Sequence, residues 1–239
     1  MTGESPVDRR WKTPVVPFLI GPSAPAIDPS ILSSLAEFYV PDIADVVGRM
    51  YTVHDIRSIF DPALPVVGTA ITAKCPPGDN LAVKKALTLT QPGDVLVATV
   101  GGSYDSGYWG GLMNTSGLAR HLGGLAIDGC VRDSAELVQM GFPILCRGFS
   151  IRGTVKNVLG LINHPTIFGG VLVRPGDLVL GDDDGLVVVE RAEIGAVLEK
   201  SRKRVEAEIK KAEQLRAGIS SVELNKLGKV FEALGLIEE

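Results

Sequence analysis

The sequence predicts an α/β fold, and three observations carry that prediction. The stretch Pro92–Asp133 reads as strand, glycine-rich loop, helix, strand and charged loop in succession. Short apolar runs recur later in the chain, two of the strands opening after the similar turns Gln91-Pro-Gly-Asp and Arg174-Pro-Gly-Asp. A long stretch of helical spacing, Arg191 to Arg216, follows the last of these runs. Strands interleaved with helices point to a sheet covered by helices. In such sheets ligands gather where loops leave the carboxyl ends of strands, so the loops after Val100 and Ile127 are where chemistry is sought.

Each element has a local reason. Residues 1–26 carry Pro6, Pro14, Pro17, Pro22 and Pro25 and are expected to form an arm without regular structure. Asp28 to Tyr39 has helical periodicity behind an Asp or Ser cap. Pro41 starts a second short helix with Ile43, Val46 and Val47 on one face. Pro65 to Lys74 is a strand closed by Pro76-Pro77-Gly78, and Asp79 or Asn80 caps a helix over Leu81 to Leu89. Within the central stretch, Val95 to Val100 is one strand and Gly101 to Gly111 a loop. Leu112 to Leu122 is helical, and Leu125 to Ile127 is a strand ended by Asp128-Gly129. A short helix with Ala135, Leu137 and Val138 comes next, then a strand over Phe142 to Cys146 and a mostly looped segment from Arg147 to His164. Val171 to Val173, Leu178 to Leu180 and Leu186 to Val189 are strands. Gly218 stops the long helix, and Val222 to Leu236 is one last helix. No linker interrupts the chain. The expected organisation is an N-terminal arm and first helix (1–40), one main domain (41–218) and a C-terminal helix (219–239).

Composition narrows the function. The chain has 239 residues, 45% hydrophobic and 22% charged, with a net charge of −4. Its densest basic segment, Lys200 to Lys211, interleaves acidic residues, which argues against nucleic-acid binding. No apolar run is long enough to span a membrane, and Met1 to Lys12 lacks a signal-peptide core, so the expected location is the cytoplasm. Cys75, Cys130 and Cys146 form no zinc pattern and suit a reducing compartment.

Four groups of residues could carry chemistry. Arg132-Asp133 pairs a guanidinium, which can hold a carboxylate through two parallel hydrogen bonds, with a carboxylate suited to a hard divalent ion. The same dipeptide also reads as a surface pair at a helix start, with Asp133 favouring the helix dipole. The glycine loop, with the amides opening the helix at Leu112 and Met113, can cradle an anion or simply make a turn; its spacing excludes nucleotide fingerprints. Asp182-Asp183-Asp184-Gly185 reads as a hairpin turn rather than a metal site. Lys74 follows a strand but has no neighbour that marks a Schiff-base lysine, and His54, His121 and His164 show no metal spacing.

From about Asp42 to Gly218 the chain resembles the 4-hydroxy-4-methyl-2-oxoglutarate / 4-carboxy-4-hydroxy-2-oxoadipate aldolases, within the superfamily of the regulator of ribonuclease activity A. The residues that carry the resemblance are Pro92-Gly-Asp, Tyr108-Trp-Gly, Asp128-Gly-Cys-Val-Arg-Asp, Phe168-Gly-Gly-Val and Pro175-Gly-Asp with Asp183-Asp184-Gly185. The resemblance implies a swivelling β/β/α sandwich, assembled as homotrimers or homohexamers with sites between subunits. It implies a pyruvate aldolase that uses Mg²⁺ or Mn²⁺ on a 2-oxo acid and has oxaloacetate decarboxylase side activity. Arg132 matches the residue that binds the pyruvyl carboxylate, and Asp133 the residue that holds the metal. Gly110, Gly111, Leu112 and Met113 match the turn and helix start whose amides hold substrate. Glu208, with Glu206 as the alternative, matches a glutamate reaching the metal from a neighbouring subunit. One departure is plain: these aldolases carry an acid where this chain has Gly111, and Asp105 is the candidate replacement. That departure leaves two other readings open. One is a different lyase or hydrolase acting on a 2-oxo or dicarboxylic acid. The other is a non-catalytic ring that binds a protein, as the ribonuclease regulators do.

Overall fold

The computed structural model describes residues 20–60 and 62–236. The arm expected over 1–26 lies mostly outside them. Helices α1 (Pro29–Leu35) and α2 (Val40–Val47) come first, followed by the two-residue strands β1 (Thr52–Val53) and β2 (Arg57–Ser58). The centre of the chain alternates: β3 (Val66–Lys74), α3 (Leu81–Leu87), β4 (Asp94–Thr99), β5 (Gly107–Trp109), α4 (Gly111–Ala119), β6 (Gly124–Val131), α5 (Ser134–Met140) and β7 (Ile144–Phe149). Five short strands follow, β8 (Leu161–Ile162), β9 (Thr166–Phe168), β10 (Val171–Val173), β11 (Leu178–Gly181) and β12 (Leu186–Val189). The chain then ends in α6 (Ile194–Arg216), α7 (Ser221–Leu224) and α8 (Gly228–Ala233).

One mixed sheet runs in the order β1-β12-β11-β3-β4-β6-β7-β2, with β5 on β6 and β8 on β3. Strands β3, β4, β6 and β7 are parallel, as crossover helices between them require, and the flanking pairs are antiparallel. Side-chain alternation splits the sheet into two faces. Leu96 and Ala98 of β4, with Leu125 and Ile127 of β6, face helices α3, α4 and α5. Val95, Val97 and Ala126 face the opposite way, onto Phe168, Val171 and Val173 of the β9–β10 hairpin. Leu178, Leu180, Val187 and Val189 are covered by α1, α2 and the first turns of α6. The result is the layered β/β/α arrangement.

The two Pro-Gly-Asp turns are one device used twice. Asp94 Oδ2 accepts from the Gln91 amide at 2.8 Å, and Asp177 Oδ2 accepts from the Arg174 amide at 2.8 Å. Gly93 and Gly176 adopt φ +83° and +91° respectively, conformations natural to glycine. Each turn launches a strand beside β3, β4 on one side and β11 on the other. At the other candidate turn, Asp182 Oδ1 accepts from the Asp184 amide, and the hairpin between β11 and β12 closes there as expected.

Several boundaries differ from the sequence reading. Gly101–Gly111 is not all loop, because Gly107–Trp109 forms β5 on the end of β6. Asp128-Gly129 does not end its strand. It makes an irregularity inside β6, where a Cβ on Gly129 would stand 2.9 Å from Val100 Cγ2. β7 continues to Phe149, and β8 and β9 lie in segments without an alternating pattern. The last helix is two, α7 and α8, separated at Lys226, whose φ is +55°.

Candidate functional site

The end of β6 is held on both sides before it reaches Arg132. The Arg132 amide donates to Trp109 O at 2.9 Å, and the Ser150 amide donates to Val131 O at 2.9 Å. Behind β5, Trp109 donates through Nε1 to Asn114 Oδ1 and stacks on Phe142 with ring centroids 6.0 Å apart. The start of α4 is therefore anchored to the core just where its exposed end meets β6.

Asp133 is the N-cap of α5, in the left-handed region at φ +59° and ψ +38°, where an aspartate is tolerated better than most side chains. Its carboxylate does not cap its own helix. It crosses to α4, where Oδ2 accepts from the Gly111 amide at 3.1 Å and lies 3.6 Å from Arg132 Nε. Both glycines at this junction make room for acids. A Cβ on Gly110 would stand 2.5 Å from Asp133 Oδ2, and one on Gly111 would stand 2.5 Å from Glu136 Cδ. Asp133 and Glu136, one turn apart on α5, thus set two carboxylates against the positive end of α4.

Around this junction is a cleft of about 260 Å³ whose walls include Gly110, Gly111, Leu112, Met113, Arg132 and Asp133. The sequence-predicted residues are brought together there. The cleft is also lined by Asn80, which precedes α3, by Lys84 of α3 and by Thr154 and Lys156 of the loop after β7. Asp79 fastens that loop. Its Oδ2 accepts from the amides of Asn157 and Val158 at 2.5 and 2.9 Å, and its Oδ1 accepts from Leu81 N at 2.8 Å. Burial pushes the Asp79 carboxyl up, but the three amides and the nearby Lys156 together outweigh it and hold it below the usual range. Asn80 donates through Nδ2 to Tyr108 O at 2.9 Å, while its buried Oδ1 has no partner among the described residues. On the far side of Arg132 a broad groove of about 770 Å³ runs past Glu136 to Phe149 and Ile151.

Other candidates fall elsewhere. Asp105, the possible replacement acid, does not line the cleft: Ser103 and Arg152 hold it, the latter at 2.5 Å, and lower its pKa. Glu208 is half-exposed on α6 and pairs with Arg204 at 2.7 Å, away from this protomer's cleft, and Glu206 is exposed on the same helix. Asp182 and Asp183 accept from backbone amides of Val40 and Ala63 and so serve the hairpin. Burial pushes the Cys75 and Cys146 thiols up to about 12, unsuited to nucleophilic work. Sequence reasoning missed Asn80, Lys84, Glu136 and Lys156. Glu136 was accessible in principle, since it follows Asp133 by one helical turn; the others come together only through the Asp79 staple.

Among the described residues no group of three or more His, Cys, Asp and Glu could hold a metal. The site offers two carboxylates and the space that two glycines leave for them. That set fits a hard divalent ion of the Mg²⁺ or Mn²⁺ kind, which is commonly held by one or two carboxylates and keeps several waters.

The family model described as RraA-like (Aldolase/RraA) matches residues 40–188. A protein of Halalkalibacterium halodurans named "Putative 4-hydroxy-4-methyl-2-oxoglutarate aldolase" is 41% identical over 141 residues, 58% of this chain and 66% of its own. A protein of the same name from Deinococcus radiodurans is 35% identical over 62% of this chain and 92% of its own. Among solved structures, an uncharacterized protein of Pseudomonas syringae matches with a TM-score of 0.72 and 26% identity, covering 86% of this chain and 95% of its own. RraAS2 of Streptomyces coelicolor, described as an unusual member of the RNase ES inhibitor RraA family, matches with a TM-score of 0.72 and 26% identity over 79% of this chain and 98% of its own.

Proposed function

We propose, from the premise that the chain belongs to the RraA-like (Aldolase/RraA) family, that it is a divalent-metal-dependent pyruvate aldolase. It would cleave 4-hydroxy-2-oxo di- or tricarboxylic acids to pyruvate and a second oxo acid. The observation that carries this reading is the meeting of Arg132, Asp133 and the α4 start in one cleft, with Asp133 Oδ2 on the Gly111 amide. Family membership alone also accommodates a protein that only binds a partner; the adjacent guanidinium and carboxylates favour chemistry.

The roles divide by chemistry. Arg132 takes the carboxylate of the 2-oxo acid through its planar fork and so fixes the orientation of the carbon chain. At the start of α4 the Leu112 amide would add a donor for the substrate's oxygens; contrary to the sequence reading, the Met113 amide is already given to Gly110 O at 3.0 Å and the Gly111 amide to Asp133 Oδ2 at 3.1 Å. Asp133 and Glu136 would hold the divalent ion, Glu136 supplying the acid that position 111 lacks. When bound, the ion supplies Lewis-acid polarisation at the 2-oxo oxygen, which favours breaking the bond between C3 and C4. The same activation predicts oxaloacetate decarboxylation as a side activity. Glu208, or Glu206, is proposed to approach a neighbouring copy's cleft in a homotrimer or homohexamer.

The test is pyruvate release from 4-carboxy-4-hydroxy-2-oxoadipate and from oxaloacetate, with Mg²⁺, with Mn²⁺ and with EDTA. Metal-dependent pyruvate from the first is the expected result. No pyruvate under any condition would overturn the aldolase reading and direct attention to a protein partner or another acid.

A further inference from the structure

We infer that the protein carries a second binding site, for a small organic anion, on the face of the sheet opposite the Arg132 cleft. Lys74, Thr99 and Thr166 make its polar floor, and Ile167 and Leu172 its apolar edge. The inference stands independently of the aldolase reading.

A row of three side chains marks the place. Lys74 ends β3, Thr99 ends β4 and Asp128 lies in β6; Lys74 pairs in register with Thr99, and Thr99 with Asp128. The three strands are parallel, so the row sits toward their carboxyl ends, where α/β sheets gather ligands. Ala73, Ala98 and Ile127, one position earlier on each strand, pack toward the helices, so alternation sends the row to the β9–β10 face. A cavity of about 270 Å³ opens there, lined by the row, by Gly101 and Gly102, and by the β9–β10 hairpin. The Arg132 cleft lies on the other side, against Lys84 of α3 and Leu112 of α4.

The polar groups with capacity to spare are donors. The Lys74 ammonium makes no ion pair or hydrogen bond among the described residues. Thr99 and Thr166, each 6% exposed, share one hydrogen bond between their Oγ1 atoms at 3.2 Å. One hydroxyl donates it, so the hydrogen of the other has no acceptor among the described residues. The amides of Gly101 and Gly102 likewise donate to no group among the described residues. The acid of the row is already engaged. Asp128 Oδ1 accepts from Arg147 Nε at 2.7 Å and from the Tyr104 hydroxyl at 3.1 Å, and Oδ2 accepts from the Gly169 amide at 3.4 Å. Asp128 therefore leaves Lys74 free for an anion. Ile167 and Leu172 face each other across the hairpin, 60% and 39% exposed, and add apolar surface at the mouth. A cavity of that size holds roughly nine waters, which limits the occupant to a short chain. A charged head on the lysine and hydroxyl, with a small apolar body against the hairpin, meets both conditions.

Calorimetric titration of the full-length protein and of its Arg132→Ala variant separates this site from the cleft. The probes are 3-methylbutanoate, its neutral amide and inorganic phosphate. Both proteins are expected to bind 3-methylbutanoate with a roughly millimolar Kd, and the amide and phosphate at least about fivefold more weakly. Lys74→Gln should weaken 3-methylbutanoate roughly fivefold, the scale of one exposed charge pair, and Lys74→Arg should retain it. The Lys74 side chain is exposed, so circular dichroism should be the same in both variants. Binding that disappears in Arg132→Ala would overturn the inference, because the anion would then belong to the cleft. Equal binding of the acid and its amide, or an affinity that Lys74→Gln leaves unchanged, would also overturn it. Phosphate binding as tight as that of 3-methylbutanoate would overturn the assignment to an organic anion.

Discussion

The carboxylate of Glu136 occupies the space where Gly111 would carry a side chain: a Cβ built there stands 2.5 Å from Glu136 Cδ and 2.7 Å from Oε1. The obstacle is the far end of an exposed, flexible side chain, so Gly111→Ala should be accommodated by moving Glu136. Gly111 opens α4, and alanine is favoured over glycine in helices by up to about 1 kcal/mol. The expected outcome is an unchanged or slightly raised melting temperature with metal affinity lowered by roughly 10-fold, read by titration with Mn²⁺. Glu136→Gln should reproduce the loss of affinity without touching α4. If both variants bind Mn²⁺ like the parent protein, Glu136 has no part in the site.

That relationship also marks the limit of what the sequence discloses. The strand–loop–helix–strand order, the Arg132-Asp133 pair and the hairpin at Asp182–Gly185 follow from short-range patterns, and the structure places them where those patterns point. The exchange of space between Gly111 and Glu136 spans 25 positions and two helices, so no local pattern reports it. Asp128-Gly129 misleads for a related reason. The dipeptide favours a turn, but Asp128 pairs with Arg147 at 2.7 Å and Gly129 fits against Val100, and the strand continues through both. β5 is three residues long and has partners far along the chain, which periodicity cannot detect. Lys84 and Lys156 stand 72 positions apart, and the Asp79 staple that joins their segments is a tertiary fact.

Asp133 joins geometry to charge, and substitutions can separate the two. Asparagine tolerates the left-handed conformation and keeps an acceptor for the Gly111 amide, but it lacks the negative charge. Asp133→Asn should therefore fold with stability close to the parent. Asp133→Ala should lose about 1–2 kcal/mol from the strained backbone and the lost hydrogen bond, measured by urea unfolding. Both should abolish metal-dependent pyruvate release. Arg132→Ala should leave the fold intact and raise KM strongly, by about 100-fold, because it removes the anchor of the substrate carboxylate. Full activity in Asp133→Asn would refute the metal role.

The buried aspartates set opposite pH dependences. Asp79 has a lowered native pKa despite burial, because amides favour its ionised form. The stability it contributes is present above the unfolded value of about 3.9 and is lost as the pH falls through the native value. Asp79→Ala should cost about 1–3 kcal/mol at pH 7, much less in strong acid, and should expose the 153–158 loop to proteolysis. Asp94 goes the other way: burial raises its pKa against the bond from the Gln91 amide. Its contribution is full below the unfolded value and is lost as the pH rises through the native one. Asp94→Asn, which keeps an acceptor for Gln91, should be neutral or mildly stabilising at pH 7. Thermal unfolding of both variants between pH 3 and 8 checks the two signs.

Exposed apolar side chains flank the cleft, and they bear on assembly. Leu112 is 90% exposed at the start of α4 and Ile151 97% exposed beyond β7, with Phe149 at 58% beside it. Leu112 lines the cleft, and Phe149 and Ile151 line the groove that continues from Arg132 past Glu136. In the proposed homo-oligomer these side chains would be covered by a neighbouring copy. A partner there would exclude water from Arg132, Asp133 and Glu136 and strengthen their electrostatic contacts. Leu112→Asp and Ile151→Asp should therefore lower the oligomeric state measured by light scattering while leaving the protomer's circular dichroism unchanged. Pyruvate release should fall in step with dissociation and recover in part at high protein concentration, because assembly is governed by mass action. Variants that stay assembled and fully active would show that this apolar rim serves no subunit contact.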